Sequence, residues 1–260
     1  MKLREIVEAI ESEAPIQLAE EWDNSGLQIG LLEMDVRQAL LCVDQTEAVF
    51  DEALENGCNL IITHHPLFFH PLRRLCDSNM AERIAARAIR EGIAIYSAHT
   101  NLDNSPVGLN ARLAWRLCLT DTQILKPMAQ NAQAGSGMIG RMARPMDETN
   151  FLRQLKQVLQ VPDVRHSDLT GSQVERVAVC GGAGGFLIED AIRQGAQVLV
   201  TADLRHHDFI DADRRILLAE VGHFESEQCA KEVFFDILSK KMPNFAVRFA
   251  ETDRSPINHL

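Results

Sequence analysis

A gapless internal repeat constrains this chain more than any other feature. Shifting residues 39–63 forward by 138 positions lays Cys42 on Cys180, Ala53 on Ala191, Gly57 on Gly195 and Thr63 on Thr201, with apolar positions matching between them. Gly57-Cys-Asn-Leu-Ile-Ile-Thr63 and Gly195-Ala-Gln-Val-Leu-Val-Thr201 are one strand written twice. In the first copy a strand over 39–43 precedes a helix that Thr46 caps and Gly57 stops, and a short buried strand follows from Leu60. The second copy has a strand over 174–179, a helix ending near Gln194 and a strand over 198–201. Two βαβ halves with right-handed crossovers are predicted, an α/β fold with approximate internal symmetry.

The remaining segments fit around these units. Leu3, Ile6, Val7 and Ile10 recur at helical spacing, so a helix over 2–13 is expected, ended by Pro15. Turn formers crowd Glu21 to Gly30 and predict a rigid turn, in which Asp23 and Asn24 bond their own backbone and Gly26 takes a positive φ. Further helices are expected over 79–91, 109–117, 151–159 and 224–240, and strands over 93–97, 138–142, 216–219 and 244–249. Residues 126–137, with Pro127, Gly135, Ser136 and Gly137, have linker composition, and 251–260 a polar tail. The expected division is therefore 1–125 for the first half and 126–260 for the second.

The net charge of −11 and the lack of a long basic run argue against a general nucleic-acid grip. Six cysteines without a C-x-x-C pair are expected to be reduced thiols in a cytoplasmic protein. The amino terminus is amphipathic and acidic, unlike a signal peptide, and no apolar run has membrane-spanning length.

The strand Leu60 to Ile62 ends in His64 and His65, at the place where open α/β sheets bind ligands. Pro66 extends the backbone at His65, so the two rings can splay. Two ordinary loop histidines are the alternative. A second strand end delivers His99 and Asp103 to a loop, and Asn101, Asn104 and Pro106 oppose a continuous helix there. His223 and Glu227, four residues apart at a helix start, project from one face. With His64, His65 and Asp103 they make three imidazoles and two carboxylates. That is more than one tetrahedral ion needs, whereas two ions bridged by a carboxylate would use them all and leave positions for water. A set without cysteine suits two divalent ions per chain, Zn, Fe, Mn, Co or Ni alike.

The motifs Trp22-Asp-Asn-Ser-Gly-Leu-Gln, Ile62-Thr-His-His-Pro-Leu-Phe, Ser97-Ala-His-Thr-Asn-Leu-Asp and Gly222-His-Phe-Glu-Ser-Glu resemble those of the Nif-three-like dinuclear metal-centre proteins, often labelled GTP cyclohydrolase type 2. The length resembles that of short bacterial members without an inserted domain. The resemblance implies two intertwined, pseudo-symmetric α/β halves and metal ligands at His64, His65, Asp103, His223 and Glu227. It also implies a ring-shaped homohexamer with metal sites facing an inner cavity. Asp203 and His207 match a further family motif, whereas His206 stands where members often have Tyr. His99, Asp203 and His207 are thus candidate catalytic or pocket residues, with Asp44 a weaker candidate for orienting a ligand.

The glycine run 181–185 follows a strand and precedes a helix, yet position 187 is Leu, so a tight turn is favoured over a dinucleotide site. Arg73, Arg74, Lys126 and Arg141 could meet a triphosphate but are more often solvated surface. The leading expectation is a hydrolase whose two ions activate water, in the family's version to open the guanine imidazole ring of GTP and release formate. Hydrolysis of another small phosphorylated or amide substrate, or a metal-binding scaffold or regulatory protein, remains open.

Overall fold

The computed structural model describes residues 1–260. Helix α1 (Leu3–Glu11) and edge strand β1 (Gly26–Ile29) lead into the first copy of the repeat, β2 (Gln38–Cys42), α2 (Glu47–Glu55) and β3 (Leu60–Thr63). Helix α3 (Met80–Glu91), strand β4 (Ala94–Ser97), the one-turn α4 (Thr100–Asp103) and α5 (Leu109–Arg116) follow. A hairpin of β5 (Leu119–Met128) and β6 (Asn131–Asp147), helix α6 (Glu148–Leu159) and the short β7 (Arg165–His166) precede the second copy. That copy is β8 (Gln173–Ala183), a 3-10 turn running into α7 (Ile188–Arg193), and β9 (Val198–Ala202). The chain closes through α8 (His206–Asp211), β10 (Leu217–Glu220), α9 (His223–Glu227), α10 (Ala230–Lys241) and β11 (Ala246–Phe249).

Two compact units divide the chain, and neither is one continuous stretch. Met1–Leu102 with Ala230–Arg254 form the first, Asp103–Cys229 with Ser255–Leu260 the second. The halves are thus intertwined along the sequence, and the expected boundary at 125/126 falls inside β5. The presumed linker is ladder: Lys126 lies opposite Ser136 and Pro127 opposite Gly135. Glycine is needed there for close approach, since a Cβ on Gly135 would stand 2.2 Å from the Lys126 carbonyl oxygen.

The repeat recurs in the hydrogen-bond register. In the first unit Ala39, Leu40 and Leu41 pair with Leu60, Ile61 and Ile62. In the second, Val177, Ala178 and Val179 pair with Val198, Leu199 and Val200, each partner 138 positions further on. Next to β3 lies parallel β4, with antiparallel β1 outside it; next to β9 lies parallel β10, with antiparallel β7 outside. The halves differ at the other edge, where β2 carries parallel β11 and β8 carries antiparallel β6.

Local chemistry explains most of these elements. Thr46 Oγ1 accepts the Val49 N–H and Asn79 accepts that of Glu82, so both helices begin at a side-chain cap. Leu60–Thr63 and Val198–Ala202 are buried throughout, as parallel strands covered on both faces must be. In the first unit Val49, Phe50 and Ala53 of α2 and Ile84, Ala85 and Ala88 of α3 share a core with Leu40, Ile61 and Ile95 of the sheet. In the second, Leu187 and Ala191 pack with Ala178, Leu199 and Leu218.

Four local expectations need correction. Four of the ten residues of the turn expected over 21–30 form strand β1, which pairs with β4, while Gly26 at its start takes the expected positive φ, 118°. The loop after His99 closes one helical turn, Thr100–Asp103. The closing helix is two helices, because its apolar stripe runs on through the break after Glu227 and hides it. Within the polar tail, Asp253 is buried.

Phe50 is fully buried with the Arg87 guanidinium 4.6 Å over its ring. Phe50→Ala is expected to cost about 3–5 kcal/mol of stability, read by urea denaturation.

Candidate metal centre

In the first unit, parallel pairing sets Thr63 beside Ser97, so the residues following β3 and β4 leave from one edge of the sheet. The exits are held by backbone bonds: His64 N–H donates to Cys42 O at 3.2 Å, His65 N–H to Val43 O at 3.0 Å, and Ala98 N–H to Thr63 O at 3.1 Å. Ser97 Oγ donates to the His64 carbonyl at 2.8 Å. Three imidazoles meet as a result. Ring centroids are 5.1 Å apart for His64 and His65, 5.2 Å for His64 and His99, and 5.4 Å for His65 and His99. Each ring offers a nitrogen within 4.8 Å of the others'.

The Nδ1 atom of each ring faces an acceptor: Ala98 O at 2.9 Å for His64, Asp44 Oδ1 at 2.8 Å for His65, and Asp23 Oδ1 at 2.7 Å for His99. A carbonyl or carboxylate cannot donate, so in the neutral ring Nδ1 carries the hydrogen and Nε2 keeps its lone pair.

Asp23 does far more than shape a turn. Its side chain is fully buried. Besides the His99 ring it accepts from Thr100 N–H at 3.1 Å, Thr100 Oγ1 at 2.5 Å, Ser25 Oγ at 2.7 Å and Asn24 N–H at 2.7 Å. Burial alone would raise its pKa, but the His99 hydrogen bond and charge, with the Thr100 and Ser25 hydroxyls, hold the carboxyl well below the usual range. Trp22, 64% exposed, and Phe69, 48% exposed, set their rings edge-on to His99 at 5.9 and 5.7 Å.

The second unit holds Asp103, His223 and Glu227. One turn of α9 brings His223 Nε2 to 3.1 Å from Glu227 Oε2, and Glu227 is buried. His223 Nδ1 faces Asp203 Oδ2 at 2.6 Å, the same arrangement as in the first unit. Asp203 reaches it from a left-handed backbone, φ 54°. Burial would lower the His223 pKa, yet the Glu227 and then the Asp203 carboxylates push it up to about 9, so this corner favours positive charge. The Cys180 thiol is pushed up first by burial and then by the charges of Asp103 and Glu227.

Asn110 braces this group. Its Nδ2 donates to Asp103 O at 3.0 Å and its Oδ1 accepts the Gly181 N–H at 2.9 Å, while Ser226 Oγ accepts the Gly182 N–H at 2.9 Å. Gly182 has φ +61°, and a Cβ there would stand 2.3 Å from Glu227 Oε1 and 3.3 Å from His223 Cε1. The glycine run thus makes room for a carboxylate and an imidazole, a role that sequence reading did not find.

His207 is exposed on α8, where its ring meets that of His206 at 5.5 Å; no bond ties it to His223 or Asp203. Asp203 acts on His223 and so orients it. Arg141 pairs with Glu175 at 2.7 Å on the surface, and Arg73 and Arg74 are exposed.

His64, His65, His99 and His223 all commit Nδ1 to an oxygen acceptor, which is how metal-ligating histidines are held. Imidazole and carboxylate donors without thiolate fit divalent ions of the Zn, Fe, Mn, Co and Ni group.

A family model described as Duf34/NIF3 (NGG1p interacting factor 3) matches residues 1–256. A Clostridium perfringens protein named GTP cyclohydrolase 1 type 2 homolog is 32% identical over 87% of this chain and 87% of its own length. The Drosophila melanogaster NIF3-like protein 1 is 30% identical over 98% of this chain and 88% of its own. The crystal structure of a Bacillus cereus protein related to NIF3 superposes with a TM-score of 0.91 at 25% identity, covering 100% of this chain and 99% of that one.

Gly182→Ala drives a methyl group into Glu227. It is expected to weaken divalent-ion uptake about tenfold or more, measured by calorimetric titration, since displaced site partners typically cost 10–100-fold. Unchanged uptake would contradict a ligand role for Glu227. The depressed Asp23 pKa contributes stability that is present above the ordinary carboxylate value of about 4 and is lost as pH falls toward the folded-state value. Urea denaturation between pH 3 and 6 should show Asp23→Asn with a shallower acid loss than the parent chain.

Proposed function

The chain belongs to the Duf34/NIF3 family, and on that premise we propose that it is a metal-dependent hydrolase with a dinuclear divalent centre. The observation that carries this reading is the common commitment of Nδ1 in His64, His65, His99 and His223, which leaves Nε2 as the ligating atom of each neutral ring, in His223 once an arriving ion displaces the proton directed at Glu227. The ligands, as the motif resemblance implies, are His64, His65, Asp103, His223 and Glu227. Divalent ions bound by such donors lower the pKa of water and polarise a substrate oxygen.

The chain's own residues do the rest. Ala98 O, Asp44 and Asp203 keep the rings of His64, His65 and His223 in one tautomer and one direction. His99, whose Nδ1 is fixed by Asp23, presents Nε2 as a proton acceptor beside His64 and His65. His207, exposed beside His206, is at most a contact for the outer part of a substrate.

The substrate class is a small molecule, with GTP first among nucleotides because several relatives carry the name GTP cyclohydrolase 1 type 2 homolog. On GTP, hydrolytic opening of the guanine imidazole ring would release formate. A ring-shaped homohexamer in the cytoplasm is the setting the family resemblance implies. No helix is long and apolar enough to cross a membrane.

Metal analysis of protein purified without chelator, followed by incubation with GTP and a formate assay, tests the reading. About two ions per chain with formate release are expected. Two ions without formate would discard GTP and keep the hydrolase class open to other substrates. Absence of stoichiometric metal would overturn the centre. His64→Ala is expected to lose metal and activity while its circular dichroism stays that of the parent.

A further inference from the structure

Asp253, in the segment after β11, is buried beside a strand end that carries site residues. Its side chain is 0% exposed and that of Lys231 on α10 is 11% exposed, with Nζ and Oδ2 2.8 Å apart. Asp253 Oδ2 also accepts the Val43 N–H at 2.8 Å, and Oδ1 the Asp44 N–H at 3.3 Å. One carboxylate therefore takes the backbone donors of two successive residues where β2 ends. The Ala250 N–H, bonded to Leu41 O at 2.9 Å, brings the segment alongside.

Asp44 passes this constraint on. Its Oδ1 meets His65 Nδ1 at 2.8 Å, and the His65 N–H donates to Val43 O at 3.0 Å, so both ends of His65 are tied to the two residues that Asp253 holds. A buried ion pair adds little net stability over an apolar pair of the same size. Its use in orienting a third group is a separate gain.

We propose that Asp253, neutralised by Lys231, is a positioning residue for His65: it fixes the Val43–Asp44 backbone, and through the Asp44 carboxylate it fixes the tautomer and direction of the imidazole. The value of that orientation rests on the metal reading, in which His65 is a ligand. The orientation itself belongs to the metal-free chain, so the two can fail separately.

The test uses the full chain stripped of metal by chelation, in three forms: parent, Asp253→Ala, and the apolar double variant Lys231→Met with Asp253→Leu. Long-range proton–nitrogen spectra of the histidine rings read the tautomer, cobalt(II) titration reads affinity, and thermal denaturation reads the fold. In both variants the His65 signals are expected to move from a single Nδ1–H tautomer toward a tautomer average, while those of His64, held by Ala98 O, stay in place. Cobalt affinity should fall about tenfold or more, the usual effect of losing an outer partner of a ligand. The double variant should melt above Asp253→Ala, because no lysine charge stays buried without its partner, yet keep the same His65 defect, which a purely structural ion pair would not produce. If Asp253→Ala does not fold, the double variant decides alone. Parent-like His65 signals and cobalt affinity in a folded variant would overturn the proposal. A parent chain that takes up no cobalt would overturn the metal reading, and the ring spectra would still decide the positioning.

Discussion

Parallel strand pairing is the constraint on which the site depends. Neighbouring strands that run in one direction end at one edge, so whatever follows them is delivered to the same place. In the first unit the pairing of Thr63 with Ser97 puts His64, His65 and His99 together; in the second, the pairing of Thr201 with Glu220 puts Asp203 near His223. The same geometry dictates the sequence of the strands, because a parallel sheet covered on both faces needs unbroken apolar runs such as Leu60-Ile-Ile and Val198-Leu-Val.

Once the ends are aligned, hydrogen-bond chemistry decides what the histidines can do. A ring with two equivalent nitrogens is an ambiguous donor; a carboxylate or carbonyl on Nδ1 removes the ambiguity. Asp44, Asp23 and Asp203 each serve one ring, and Asp253 serves the backbone under Asp44. Part of the acidic excess of the chain is thus spent on orientation. Burying Asp23 and Asp253 is tolerable because each is met by several donors, as the five contacts of Asp23 illustrate. Steric economy completes the arrangement. Gly182 leaves the volume that Glu227 and His223 occupy, so the glycine run answers to side chains of the same unit.

The repeat shows how one unit was put to two uses. The registers of β2 with β3 and of β8 with β9 match position for position, yet the first strand end carries two histidines where the second carries Asp203, and the second unit takes its imidazole from α9. The outer edges differ as well, parallel β11 in one half and the antiparallel β5–β6 hairpin in the other.

Sequence by itself determined the features that are local or periodic: the repeat, the apolar strands, the cap at Thr46, the strand ends bearing His64, His65 and His99, and the one-turn spacing of His223 and Glu227. These follow from propensity and period, which act over a few residues. Tertiary structure alone decided the rest. Asp44 and His65 are 21 positions apart, Asp23 and His99 76, and Val43 and Asp253 210, so no local pattern links them. The linker-like stretch became a hairpin and the closing helix became two for the same reason. Composition reports what a segment tolerates, whereas its partners across the fold decide which of the tolerated conformations it takes.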